Sequence, residues 1–314
     1  MRLAGVPPLE LAAISRSGLD RPLEPGARSA ELVVGVLSEG AVVLGAMQRV
    51  SELGEGLLER DVLVTRRGSG GAECRVGTGT VWMQLALSST SALVACEPGR
   101  LCNRYVRPLL RALTKVGAVA HYFERDWVSA SKSPIASVSF AHDTQTGRAM
   151  VEAIVAVHTP FALRARSSYL GKSARTLHEL GLDVEPSRVA DAVIDSYAAA
   201  YGGRESSSAG TSELVASPAD DPRGDPPWAS TCDEAIGVVA AGRDRDGRMR
   251  VGGELMVSRD ALSRLEDAIA LHADDAPQLD RAVDELAGPG VALLGVRDLR
   301  SLREVIAEAL RQVV

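Results

Sequence analysis

Aromatic residues make up only 4% of this 314-residue chain, so its core must rest on Val, Leu and Ala rather than on rings. No apolar run approaches ~18 uninterrupted residues, which excludes a membrane-spanning helix on sequence grounds. The start, Met1 to Pro8, lacks the apolar core of a secretory signal. Cys74, Cys96, Cys102 and Cys232 fall in no metal-ligand spacing and form no dense framework, so the expectation is reduced thiols in a cytoplasm and no structural metal. A formal charge of −6 and a pI near 5.5 argue against a general nucleic-acid binder, whose affinity needs many cation–phosphate contacts. What is present is ordinary for a soluble cytoplasmic protein: 46% apolar and 24% charged residues, enough to bury a core.

The length allows one large domain or two. The clearest break is residues 202–227, rich in Gly, Ser, Pro and Asp, which reads as a flexible linker between residues 1–201 and a small domain at 228–314. Before it, Glu31 to Leu37 and Ala41 to Leu44 read as strands of a hairpin turning at Ser38-Glu39-Gly40. Further strands are predicted at Asp61 to Thr65, Thr80 to Leu87, Ala118 to Phe123, Pro134 to Phe140 and Ala149 to Val157. Helices are predicted over Asn103 to Val116 and Pro186 to Ala200. Strands that follow one another without intervening helices point to an α+β fold, with a mainly antiparallel or mixed sheet and flanking helices. After the break, a hairpin around Arg245-Asp246-Gly247 precedes a helix with Ser258 as N-cap and Leu262, Leu265 and Ile269 inward. Two more helices, at Ala276 to Leu286 and Asp298 to Val313, complete a small α/β module.

The most informative stretch is Arg66-Arg67-Gly68-Ser69-Gly70-Gly71, which follows an apolar strand. Glycine frees backbone N–H groups to fold around an anion, and two guanidinium groups add permanently charged donors suited to phosphate or carboxylate. A Gly-rich hairpin with a solvated arginine pair is the alternative from spacing alone.

VVLGAMQ at 42–48, RRGSGG at 66–71, GTVWMQL at 79–85 and RDWV at 125–128 occur in an order that resembles lipoate–protein ligases, relatives of the biotin ligases and octanoyltransferases. The resemblance runs from about residue 25 to 200 and resumes at 248–269, which resembles the ligases' small accessory domain. It implies that Gly45 and Gln48 lie beside the ligand, and that Arg66, Arg67, Ser69, Gly70 and Gly71 cover an acyl-adenylate. It implies that Asp126 helps to bind ATP and Mg²⁺; read from the residue alone, Asp126 is a partner for a nearby Arg. The implied reaction activates lipoate or a related acyl acid with ATP. Transfer to a lysine of a lipoyl-domain acceptor follows, such as a 2-oxoacid dehydrogenase acyltransferase subunit or the glycine-cleavage H protein. Neither nucleic acid nor membrane is implied as a partner. A labile mixed anhydride needs charge neutralisation and shelter from water, which such a loop can supply.

The family's downstream lysine has Lys132 as its candidate here, although Pro134 aligns with the lysine position and Ser137 with a glycine. Lys132 either swings into the site from the loop before the strand or stands on the surface. The family's H-D-x-G-N ending is represented by Val76-Gly77-Thr78-Gly79-Thr80, where only Gly79 survives. Two rivals follow. Cys74 could serve an ATP-independent octanoyl or lipoyl transferase through a thioester, or be a buried, inert thiol. The chain could also be a degenerate member that binds a ligand or partner without catalysis. His142-Asp143, before Thr144-Gln145-Thr146-Gly147, reads as a solvated turn with a catalytic pair as the alternative, and His158 as structural rather than a ligand.

Overall fold

The computed structural model describes residues 1–20, 23, 29–53, 62–163, 169–203, 224–234 and 237–312. Most of the sequence-predicted linker, residues 204–223, lies outside them, as does Asp61 of the predicted strand.

A seven-stranded sheet organises the first two-thirds of the chain. Its strands are β1 (Arg2–Val6), β2 (Ala30–Leu37), β6 (Val81–Leu87), β7 (Ala120–Tyr122), β8 (Trp127–Ala130), β9 (Ser133–His142) and β10 (Ala149–Val155), in the order β1-β2-β6-β10-β9-β8-β7. β1 and β2 pair in parallel and all other neighbours are antiparallel. A second sheet, β4-β3-β5, joins β3 (Ala41–Leu44), β4 (Val64–Arg66) and β5 (Cys74–Val76). The predicted strands on either side of Ser38-Glu39-Gly40 are present, but they are not a hairpin. The turn carries the chain from the large sheet into the small one, because β2 pairs with β1 and β6 while β3 pairs with β4 and β5. The architecture is α+β with mixed sheets and flanking helices.

Both faces of the large sheet are covered, which explains why β6 and β10 are apolar nearly throughout. On one face, Met83, Leu85 and Val151 meet helices α2 (Leu101–Tyr105), α3 (Arg107–Lys115) and α4 (Pro186–Tyr201). On the other, Val33, Trp82 and Ile154 meet the small sheet and helix α1 (Pro8–Ser17). α1 opens with Pro8 at its first position, where a missing N–H costs nothing. The predicted helix from Asn103 is two helices, since Pro108 cannot donate to the ladder.

The C-terminal residues build their own core around Val239, Leu255, Leu265 and Leu302. Strands β11 (Ser230–Glu234), β12 (Gly237–Arg243) and β13 (Met249–Gly253) form one antiparallel sheet, and β14 (Met256–Val257) pairs with β15 (Leu293–Leu294). Helices α5 (Arg259–Leu271), α6 (Ala276–Asp284) and α7 (Arg300–Arg311) pack with them. Ser258 stands at the N-cap of α5, but its hydroxyl makes no cap bond. It meets His142 Nδ1 at 2.8 Å and accepts from the Ala292 N–H instead. No helix among the described residues is long and apolar enough to cross a membrane.

Candidate functional site at the arginine–glycine loop

The loop after β4 is where four parts of the molecule meet, and its backbone donors show how. Arg67 N–H donates to Leu44 O on β3, and Gly68 N–H to Ser15 Oγ on α1. Gly70 N–H donates to Phe140 O on β9, and Gly71 N–H to Leu255 O of the C-terminal module. In this structure those N–H groups therefore face protein acceptors rather than open space. The glycines are demanded by close approach. A Cβ at Gly45 would lie 1.9 Å from Gly71 O, and one at Gly70 would lie 2.6 Å from Leu255 O.

The two arginines diverge. Arg67 is 1% exposed, with its guanidinium on Gly70 O (2.7 Å), Ala72 O (2.8 Å) and Ser69 Oγ (3.0 Å). Ser69 Oγ in turn meets Ser139 Oγ at 2.7 Å. Beneath lies Glu152, fully buried, accepting from Ser15 Oγ at 2.9 Å and Trp82 Nε1 at 3.0 Å. Burial pushes the Glu152 carboxyl up from the usual carboxylate range, opposed by hydrogen bonds from Ser69, Ser15 and Trp82 and by the charge of Arg67. Arg66 faces outward instead, donating to Gln48 O at 2.9 Å and pairing with Asp225.

Arg66, Gly68 and Gly70 line a cleft of about 490 Å³ between the N-terminal part and the C-terminal module. Leu19, Phe140, Ala141, Val257 and Leu262 give it an apolar wall; Arg16 and Arg66 stand on the loop's side. Arg16 Nη1 donates to Arg66 O at 2.8 Å. The module is fastened there by Thr144, whose N–H and hydroxyl both donate to the Asp260 carboxylate, and by Arg259 on Asp20. Although burial works against it, bonds from Thr144 and Arg264 hold the Asp260 carboxyl down at about 2. His142 and Asp143, read from sequence as a solvated turn, are buried in this joint. Burial pushes His142 below its usual range, against the charges of Asp260 and Asp143.

The other expected residues are placed as follows. Gln48 Oε1 accepts from Gly45 N–H at 3.0 Å, and its Nε2 donates to Glu73 at 2.8 Å, so this pair braces the loop's neighbour; Gln48 also lines the cleft. Gly79 turns the chain between β5 and β6 at φ +84°, packed on Pro186. Asp126 is buried immediately before Trp127, the first residue of β8. Its charge is felt by Cys102 and Tyr122, and burial with that charge raises Cys102 to about 12. No group of three or more His, Cys, Asp or Glu that could hold a metal ion occurs among the described residues. Lys132 is exposed at φ +68° in the β8–β9 turn, roughly 25 Å along β9 from Phe140 at the usual strand rise. Cys74 is buried, with Arg67 Nη1 3.9 Å from its sulfur.

Sequence reasoning missed Ser15, Ser139, Glu152 and Asp225. Glu152 carried a readable signal, a lone carboxylate inside the apolar strand AMVEAIV; the serines carried none.

No family model matches this sequence, and no curated protein does. Solved structures do match. P. falciparum LipL1 in complex with lipoate gives a TM-score of 0.62 at 10% identity, covering 98% of this chain and 99% of that one. Lipoate-protein ligase A bound with ATP gives 0.51 at 14% identity, covering 68% and 90%. The bipartite lipoate protein ligase of Thermoplasma acidophilum, studied with its E2 lipoyl domain, gives 0.52 at 14% identity, covering 68% and 89%. The chain therefore has the fold of the lipoate–protein ligases.

Proposed function

We propose that this protein is a lipoate–protein ligase-like enzyme that binds lipoate or a related acyl acid in the cleft beside the arginine–glycine loop. The observation that carries the reading is the cleft itself. It sets an apolar wall of Leu19, Phe140, Val257 and Leu262 beside the Arg66 guanidinium, which suits a carboxylate with an apolar tail. ATP would activate the acid as an acyl-adenylate, releasing pyrophosphate. An acceptor lysine would then attack the carbonyl, with AMP leaving. Gly45, Gln48, Arg67, Ser69, Gly70 and Gly71 shape the loop that carries Arg66, and Gly79 sets the β5–β6 turn. Relatives of the same fold hold lipoate and ATP, and one was studied with its E2 lipoyl domain. A lipoyl-domain acceptor and a cytoplasmic setting follow from that reading. Residues 228–314 would act as the accessory domain, joined through 202–227.

A second reading is binding without ligation. Neither Asp126 nor Lys132 is among the residues that line the cleft. One experiment separates the two. Purified protein is incubated with ATP, Mg²⁺, lipoate or octanoate, and a lipoyl domain, with intact mass and AMP as readouts. Acylated acceptor with AMP supports the ligase. Saturable acid binding with neither product supports the binding protein, and no binding of either acid sinks both.

A further inference from the structure

Gly224 to Trp228 pass beside the cleft, and three of these five residues, Asp225, Pro226 and Trp228, line it. They are held at several points. Arg49 Nη1 donates to Pro226 O at 3.0 Å and to Pro227 O at 3.2 Å. The Arg49 guanidinium lies 3.6 Å from the Trp228 ring centre, and Trp228 Nε1 donates to Glu52 Oε1 at 2.7 Å. Arg245 Nε donates to Gly224 O at 2.7 Å. Asp225, so positioned, places its carboxylate on Arg66, with the two side chains 26% and 15% exposed. A pair that far from bulk water is screened less than a surface pair. Pro226 and Pro227 lock their own backbone, and Pro226 restricts Asp225 to extended conformations, so the carboxylate is held ready at little entropic cost.

We infer that this segment is a tethered competitor for the acid: Asp225 occupies the guanidinium that an incoming carboxylate needs. The inference rests on the reading that the cleft binds an acid through Arg66. Binding would exchange one carboxylate for another on the same arginine, with Asp225 released to solvent and no bond made or broken. A tethered group acts at an effective concentration on the order of millimolar, so a weakly held free acid is kept out. The acid must then exceed that level, or a partner must lift the segment first.

The test titrates octanoate calorimetrically into the full chain at fixed salt, for wild type, Asp225→Asn, Arg66→Ala and the double variant. Asp225→Asn is expected to bind about tenfold more tightly, which corresponds to a segment seated about nine-tenths of the time. Arg66→Ala is expected to bind weakly, with the second substitution adding nothing. In wild type, saturating octanoate should speed amide exchange at Gly224, Asp225 and Trp228, a readout that needs no variant to fold. If Arg66→Ala loses binding while Asp225→Asn matches wild type and exchange is unmoved, the competitor is overturned and the cleft reading stands. If neither wild type nor Asp225→Asn binds octanoate, both are overturned.

Discussion

The two sides of the arginine–glycine loop are built on opposite plans. Inward, Arg67, Ser69, Ser139, Ser15, Trp82 and Glu152 satisfy one another in a closed, fully buried network. Outward, Arg66 shares its guanidinium between a backbone carbonyl and a carboxylate at the mouth of a cleft. Neighbouring residues of one type thus divide the labour. One arginine holds the loop's shape, and the other is placed where an exchange of partners is possible.

The largest effect that would break this contrast belongs to the inner side. Arg67→Ala leaves Glu152 buried without its nearby cation and removes the donors to two loop carbonyls. It should lower stability by about 3–5 kcal/mol in denaturant unfolding. A loss below about 1 kcal/mol would mean the network is not what holds the loop. Next comes Arg66→Ala, expected to weaken octanoate binding at least about tenfold, roughly 1.4 kcal/mol, while unfolding shifts by no more than about 1 kcal/mol. Equal damage to stability from both arginines would erase the distinction.

A smaller effect concerns the joint that closes the cleft. Asp260 is held at about 2, below its unfolded value near 3.8, so its contribution is present above about pH 4 and fades as pH falls toward 2. Asp260→Asn should therefore be less stable than wild type at pH 6, with the gap closing below about pH 2. A gap that does not depend on pH would assign the loss to packing. Smallest of all, Lys132→Ala should leave octanoate binding unchanged, since its turn lies far from the loop. A severalfold loss would return Lys132 to the site.

Much of this plan is written in local chemistry. The buried strands β6, β9 and β10 announce themselves by short runs rich in apolar residues, and α4 by its opening Pro186 and closing Gly202. The arginine–glycine run marks the right place. What it does not reveal is where the donors point, because Leu44, Ser15, Phe140 and Leu255 are distant in sequence and meet only in the fold. The same reason defeated the hairpin at Ser38-Glu39-Gly40, whose turn chemistry is right while its partners lie elsewhere. His142 and Asp143 read as a polar turn until the C-terminal module covers them. α1 was legible and overlooked, since Pro8, Leu11, Ala12 and Ile14 follow helical spacing.

Trp228 gives the mouth of the cleft an optical signature. The chain has three tryptophans, and Trp82 and Trp127 are buried at 0% and 2% exposure. Trp228 alone is half-buried, with a guanidinium against its ring and a carboxylate on its indole nitrogen. Lifting its segment would strip both charges from the indole and admit water, changing its emission while the other two stay in their cores. A change in native fluorescence on lifting the segment would therefore report one position, and a quencher such as iodide would report how often that position opens.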